Sequence, residues 1–287
     1  MQQISPTSDL AFKKVFASDE NKDILAGLIR DFFEVEAEEL IIENPYSIEV
    51  YRELIKNNEV MVLRHKLKDV AATFKTADFV SEVQVQKTNF FEERSLLYPL
   101  ERFCQNYNKV GHMMADSDGK PNRYSSLRPV YSLNILGYKH FSDDDALRIF
   151  ELYDPIRKKS LGRLLRIGYF ELMKANIETI NQKYWYDFFN TGTVGPDAPG
   201  YIQKASGIID FVNLSAEEMD IVKALERAQA DYDAGLVSAF LDGKGEGIAE
   251  GMAEVAKKML TERFEPESIA KLTGLSFEQI EALAAVD

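Results

Sequence analysis

Residues 78–86 read DFVSEVQVQ, and the interpretation of the whole chain starts from this stretch. Apolar and polar residues alternate at its end, which predicts a β-strand, because successive side chains on a strand point to opposite faces. Val83 lies on one face, and the other face carries Glu82, Gln84 and Gln86. An acid beside two amides indicates either a solvated sheet edge or a site that binds something specific. The stretch by itself leaves both interpretations open.

The segment before it, residues 59–74 (EVMVLRHKLKDVAATF), predicts a neighbouring strand that carries Asp69. Asp69 and Glu82 are separated by the length of a strand, a turn and a strand, so a hairpin can bring their carboxylates to one point. Two carboxylates, a backbone carbonyl and water are typical ligands of Mg²⁺ or Mn²⁺ in phosphate chemistry. Gln84 would lie beside Glu82, where it can orient a water but cannot supply charge. A general acid and base pair in a metal-free hydrolase is a rival interpretation, and it requires one carboxyl group with a raised pKa.

The remaining patterns predict strands interleaved with helices, which indicates an α/β or α+β core. A helix is predicted from about Asp9, where an acid is stabilised at a helix start by capping. Further helices are predicted over residues 21–35 and 90–114, the second kinked or ended in its first part by Pro99. Residues 127–141 contain a largely apolar run that predicts a buried strand.

The character of the chain changes at Ser215, where Ser215 and Glu218 form a predicted capping box that opens a charged helix. Residues 215–287 hold 16 acids against 7 lysines or arginines, so most of the excess negative charge lies there. We therefore divide the chain into a domain of residues 1–214 and an acidic helical module of residues 215–287. The apolar stripes of that module need a surface to cover, which is either the domain of residues 1–214 or the same module of a second copy of the chain. We favour the second arrangement, a homo-oligomer formed through the C-terminal helices.

Composition limits the classes of function. The chain has 287 residues, 45% of them hydrophobic, and a net charge of −13, which gives nucleic-acid binding no support. One cysteine, Cys104, and three scattered histidines provide neither a disulfide nor a zinc-site spacing. The N-terminal sequence shows no apolar signal-peptide core, and we find no apolar run of membrane-spanning length. We expect a cytoplasmic protein with no membrane partner.

The order of these motifs resembles the PD-(D/E)xK nucleases described as transposases or recombination-promoting nucleases. The resemblance is carried by Asp69 and the Glu82-Val83-Gln84 triplet, with SDLAFKKVF before them and RSLLY at residues 94–98 after them. The C-terminal segment GIAEGMAEVAKKMLTERFEPESIAKLTGLSFEQIEAL is similar to the helical end of that family. The resemblance implies an α/β, restriction-endonuclease-like core, in which helices flank a central mixed sheet, followed by a helical module. It also implies Mg²⁺- or Mn²⁺-dependent cleavage of DNA, in recombination or in defence against mobile elements and phage.

The resemblance further implies roles for individual residues. Asp69, Glu82 and the carbonyl oxygen of Val83 would hold the metal ion, and Gln84 would position the attacking water. Gln84 replaces the lysine of the wider superfamily, which is thought to stabilise the charged transition state. The missing lysine and the net charge favour an alternative, a catalytically inactive nuclease fold that serves as a binding or inhibitory module.

Four further residues are weaker candidates for contacts with substrate or with the metal ligands. They are Asp9, Gln86, Arg94 and Tyr98. Arg94 and Tyr98 form an i,i+4 pair on one helix face, where they can contact a phosphate or brace the catalytic strand.

Overall fold

The computed structural model describes residues 4–56, 70–108, 114–115, 121–122, 124, 127–210 and 213–284. Its helices are α1 (Asp9–Phe16), α2 (Lys22–Phe33), α3 (Ile48–Lys56), α4 (Phe91–Asn108), α5 (Ile180–Thr191), α6 (Gly200–Ile208), α7 (Ala216–Thr261), α8 (Pro266–Thr273) and α9 (Phe277–Ala284), with a 3-10 turn at Asp19–Asn21. Its strands are β1 (Ile41–Ile42), β2 (Val70–Phe74), β3 (Ala77–Gln84), β4 (Met114–Ala115), β5 (Pro121–Asn122), β6 (Val130–Leu136), β7 (Leu147–Glu151), β8 (Tyr153–Asp154), β9 (Lys159–Ser160) and β10 (Leu165–Glu171).

The described strands form a mixed sheet in the order β1-β2-β3-β6-β10-β7, with β4-β5 and β8-β9 as separate two-stranded ribbons. The central strands β3, β6 and β10 are parallel, and β2 and β7 pair antiparallel to β3 and β10 respectively. Lys75 and Thr76 connect β2 to β3 as the predicted hairpin turn. All seven residues of β6 are buried, so the predicted buried strand is confirmed.

Helices cover both faces of the sheet. The ring of Phe33, at the end of α2, packs against Phe79 of β3 and Tyr131 of β6 on one face. On the other face, Ser95 of α4 hydrogen-bonds the hydroxyl group of Tyr169 on β10 at 2.6 Å. The sheet is therefore the middle layer, and α4 is the helix that covers the polar side of β3.

Helix α4 differs from its predicted extent. Helix α4 continues through Pro99, although a proline inside a helix costs about 3 kcal/mol. Contacts with the sheet on both sides of Pro99, from Arg94 and Arg102, offset that cost. Helix α5 begins at Ile180, where the side chain of Thr179 accepts a hydrogen bond from the backbone N–H of Gln182.

The chain divides into two compact units, Met1–Ala224 and Leu225–Asp287. The first turn of α7 belongs to the first unit, because Glu218 accepts from Tyr46 at 3.0 Å and pairs with Lys14 at 2.7 Å. The predicted capping box of Ser215 and Glu218 is present, with both reciprocal hydrogen bonds.

The second unit contains most of α7 together with α8 and α9. Its small core consists of Ala256, Ile269 and Ile280. In the part of the chain that the structure describes, no helix is long and apolar enough to cross a membrane.

Candidate functional site

Glu82 and Gln84 lie on the same face of β3, as strand alternation predicts, and both are buried, with exposures of 8% and 9%. Strand β3 is interior, because β2 and β6 pair with its two edges. A solvated sheet edge is therefore excluded as the explanation of the acid and the amide. A buried carboxylate needs charged or hydrogen-bonding partners to offset its desolvation. The residues around Glu82 therefore indicate what this carboxylate does.

A cleft of about 340 Å³ separates this face of the sheet from α4, and Glu82 lies in its wall. Strand β6 contributes Asn134, which is the register partner of Glu82 in the parallel pairing. Helix α4 contributes Tyr98 and Glu101, among other polar residues. The cleft thus places a buried acid next to space for a small polar group.

Arg94 is a cation that contacts this acid. Its Nη2 atom donates to Oε1 of Glu82 at 2.8 Å and to Oε1 of Gln84 at 2.6 Å. The guanidinium group also lies over the ring of Phe91, 5.7 Å from the ring centre, and its side chain is 28% exposed. Arg94 therefore holds the acid and the amide together and keeps a positive charge at the place where the strand ends.

The amide of Gln84 is oriented from both sides. Its Nε2 atom donates to the carbonyl oxygen of Gln86 at 2.7 Å, while its Oε1 atom accepts from Arg94. An amide oxygen has two lone pairs, so Oε1 can still accept a hydrogen bond from a water molecule. Gln86 itself lies beyond the end of β3 and is exposed, so its side chain does not continue the polar face of the strand.

Asp69 lies outside the described residues, so its role as a metal ligand stays a prediction. The residue after it, Val70, is the antiparallel register partner of Ser81, the residue before Glu82. The side chain of Val83 is buried, 2% exposed, and alternation directs it away from the cleft. Its predicted contribution is the carbonyl oxygen, which does not depend on the direction of the side chain.

Helix α1 begins at Asp9 as predicted, but Asp9 is not its capping residue. The N-cap of α1 is Ser8, whose side chain accepts from the backbone N–H of Ala11. Asp9 is the first helical residue, and its Oδ2 atom accepts from the hydroxyl group of Tyr51 at 3.0 Å. Burial and the nearby Asp9 carboxylate raise the pKa of Tyr51 well above its usual range. Asp9 thus joins α1 to α3, and it is absent from the described lining of the cleft.

Asp78 is a residue that sequence reasoning overlooked. It is fully buried, and its carboxylate accepts from Arg128 at 2.6 Å and Asn106 at 2.6 Å. Arg102 also contacts it at 3.3 Å and forms a bidentate pair with Glu43. These contacts fix α4 against the start of β3. The available signal was alternation, since Asp78 shares the face of Glu82.

Tyr138 provides a neutral hydroxyl group near the charged pair. Burial raises its pKa to about 12, with Arg94 acting to lower it and Glu82 to raise it. The hydroxyl oxygen is buried and has no hydrogen-bond partner within the described chain. Tyr138 therefore stays protonated at neutral pH and can donate a hydrogen bond. Tyrosine at position 138 carried no sequence signal, because nothing nearby in the chain links it to β3.

Among the described residues, no group of three or more His, Cys, Asp or Glu residues is arranged to hold a metal ion. Glu82 is the carboxylate of the described cleft wall that is buried, whereas Glu101 is exposed. A carboxylate set at this place would have to include a residue from outside the described ranges.

Residues 6–239 match the model of the PD-(D/E)XK nuclease family transposases. This match spans most of the chain, and the chain therefore belongs to that family. The mixed six-stranded sheet flanked by helices, with its helical C-terminal region, is an α/β restriction-endonuclease-like fold. Searches among curated proteins and among solved structures gave no match.

Proposed function

We propose that this member of the PD-(D/E)XK nuclease family transposases is a divalent-metal-dependent endonuclease that hydrolyses DNA phosphodiester bonds. The observation that carries the proposal is the buried pair of Glu82 and Gln84 on the cleft side of an interior strand. Desolvating a carboxylate costs free energy, and a site that uses the carboxylate explains why the fold tolerates it. The family supports a nuclease, and a role in DNA recombination suits its description as a transposase. The proposal places this role in the cytoplasm.

Asp69, Glu82 and the carbonyl oxygen of Val83 would hold Mg²⁺ or Mn²⁺. The donor set fits these ions, because both prefer hard oxygen ligands and keep several waters. When bound, the ion would polarise a phosphate oxygen and lower the pKa of a bound water. The adjacency of Val70 and Ser81 in the β2-β3 register supports the pairing of the two acids.

Arg94 would take over the electrostatic role of the missing lysine. It supplies a positive charge 2.6 Å from the oxygen of Gln84, which occupies the superfamily lysine position. A fixed cation in a partly buried cleft stabilises developing negative charge more strongly than the same cation in water. Gln84 would orient the water through its second lone pair, and Tyr138 would donate to an oxygen of the phosphate.

One observation favours the alternative of an inactive binding or inhibitory module. The Arg94 guanidinium already donates to Oε1 of Glu82, so a metal ion that binds this oxygen would compete with that contact. A protein in which this ion pair is permanent would keep the fold without the activity.

A nicking assay on supercoiled DNA separates these functions, with Mg²⁺, Mn²⁺ or EDTA present and the Asp69→Ala variant beside the parent. The proposal predicts nicking by the parent with either metal, none with EDTA, and none by the variant. Nicking that survives EDTA would support the metal-free hydrolase. No nicking under any condition, together with no Mn²⁺ binding by calorimetry, would support the inactive module.

A further inference from the structure

A basic hairpin stands out on the surface of this acidic protein. We use the name basic hairpin for residues 153–164, which contain β8, β9 and the residues that connect and follow them. Residues 155–164 (PIRKKSLGRL) are all exposed and contain four cations and no acid, in a chain whose net charge is −13. The four cations are Arg157, Lys158, Lys159 and Arg163.

Backbone and side-chain hydrogen bonds build the basic hairpin as a defined structure. Oδ1 of Asp154 accepts from the backbone N–H groups of Ile156 at 2.9 Å and Arg157 at 3.1 Å. The hydrogen bond from the Arg157 backbone has the largest effect in lowering the pKa of Asp154, and the hydrogen bond from the Ile156 backbone lowers it further. Beyond β9, the backbone N–H of Leu161 donates to the carbonyl oxygen of Leu152 at 2.9 Å. The carboxylate of Asp154 therefore stabilises the turn of the basic hairpin.

Three of the four cations form no ion pair within the part of the chain that the structure describes. Arg157 pairs with Asp154 at 3.1 Å, but Lys158, Lys159 and Arg163 make no ion pair with any residue that the structure describes. Ile156 and Leu161 are 83% and 79% exposed, which is unusual for large apolar side chains. Uncompensated cations interspersed with exposed apolar side chains are typical of a surface that meets a polyanion.

We propose that the basic hairpin binds the phosphate backbone of duplex DNA. The proposal rests on the proposed function, since it names the surface by which the same domain would hold its substrate. A lysine or arginine that binds a DNA phosphate releases counterions from the DNA, and a cation without an ion-pair partner in the protein is available for this contact. Ile156 and Leu161 can then contact sugars and base edges, as apolar side chains do in shallow grooves.

The sheet positions the basic hairpin within reach of the same duplex as Glu82. Glu82 on β3 aligns with Asn134 on β6, which aligns with Tyr169 on β10 and Arg148 on β7. Glu82 and Arg148 are therefore three strand spacings apart, about 14 Å. The basic hairpin begins a few residues after Arg148, so the distance from Glu82 to the start of the hairpin is on the order of 20 Å. One turn of duplex DNA spans about 34 Å. One turn of duplex is therefore long enough to reach from one place to the other.

The test measures DNA binding apart from cleavage. The basic hairpin is neutralised by Arg157→Gln, Lys158→Gln, Lys159→Gln and Arg163→Gln, which leaves the turn-forming Asp154 intact. A matched control neutralises four exposed lysines elsewhere, by Lys244→Gln, Lys257→Gln, Lys258→Gln and Lys271→Gln. Both sets are made in a Glu82→Gln background, and binding to a 30-bp duplex is followed by fluorescence anisotropy across a salt series without divalent ions.

We expect the hairpin variant to bind at least about tenfold more weakly at 100 mM salt, with a salt slope lower by about three, while the control keeps the affinity of its background. Equal losses in both variants, or no loss in the hairpin variant, would overturn the proposal. Binding of the hairpin to anionic phospholipid vesicles without binding to DNA would also overturn it and identify a membrane surface. Hairpin-dependent DNA binding by a parent that never nicks DNA would instead refute the nuclease function and leave this surface standing.

Discussion

Replacing Arg94 by glutamine should tighten metal binding and slow cleavage at the same time. In the parent, a metal ion that binds Oε1 of Glu82 would compete with the Arg94 guanidinium, whose contact with this oxygen measures 2.8 Å. A hydrogen bond between charged groups contributes about 1.5–3 kcal/mol, and the 28% exposure of Arg94 favours the low end. Removing that competitor should lower the Kd for Mn²⁺ about tenfold, since about 1.4 kcal/mol corresponds to a factor of ten. Cleavage should fall, because the cation beside Gln84 is lost.

Titration calorimetry with Mn²⁺ and a single-turnover nicking assay measure the two effects of Arg94→Gln. The variant Arg94→Lys keeps the charge and should fall between the parent and Arg94→Gln in both assays. Arg52→Gln is a matched control, because Arg52 pairs with Glu217 in an exposed ion pair away from the cleft. A Kd for Mn²⁺ that is unchanged or weaker in Arg94→Gln would refute competition between Arg94 and the metal for Glu82.

Three further predictions concern stability and assembly. Asp78→Asn should lower the free energy of unfolding in urea by about 3–5 kcal/mol, because Arg102 and its neighbours lose a buried countercharge; a loss below about 1 kcal/mol would contradict this. Burial, the largest single effect, raises the pKa of Glu218, but the hydrogen bonds from Lys14 and the Ser215 backbone together with the Lys14 charge bring it below its usual value. The contribution of Glu218 to stability is therefore present above pH 4.5 and is lost as the pH falls through the lower folded value. The destabilisation by Glu218→Gln should accordingly shrink in acid, and a constant difference in melting temperature would argue against it. Deleting residues 225–287 should change the mass measured by light scattering more than DNA affinity, and the opposite result would identify the second unit as a DNA-binding element.

Alternation along β3 was sufficient to place Glu82 and Gln84 on one face, but it could not predict their burial. Whether a strand lies inside a sheet depends on partners that are distant in sequence. Here those partners are β6 at Val130–Leu136 and helix α4 at Phe91–Asn108. The sequence of β3 alone therefore could not decide between a solvated sheet edge and a cleft.

The contact of Arg94 was likewise beyond local reasoning. Helical spacing correctly predicts that Arg94 and Tyr98 share a face, and it leaves open what that face meets. The meeting of α4 with β3 is fixed by Asp78 and Arg102, residues that carry no recognisable motif. A buried ion pair of this kind becomes visible only when both elements have been placed.

The helical C-terminal region was predictable where capping residues determine helix starts. Ser215 opens α7 with the predicted capping box, and Ser276 forms the same pair of hydrogen bonds with Gln279 at the start of α9. The continuity of α7 was not predictable, because its glycines at 243, 245, 247 and 251 each disfavour a helix by about 1 kcal/mol. The ribbon β8-β9 was also missed, since its strands have two residues each and show no alternation.

The most direct test of the account compares Glu82→Gln with Glu101→Gln in metal-dependent nicking of supercoiled DNA. Both acids line the same cleft, but Glu82 is buried on β3 whereas Glu101 is exposed on α4. Glu82→Gln should abolish nicking in Mg²⁺ and Mn²⁺, because it removes a ligand charge. The melting temperature should change little, because the volume is nearly constant and Arg94, which is 28% exposed, keeps water and Gln84 as partners. Glu101→Gln should retain most of the parent rate. A Glu82→Gln variant that nicks DNA at the rate of the parent would contradict the account and move the site away from β3.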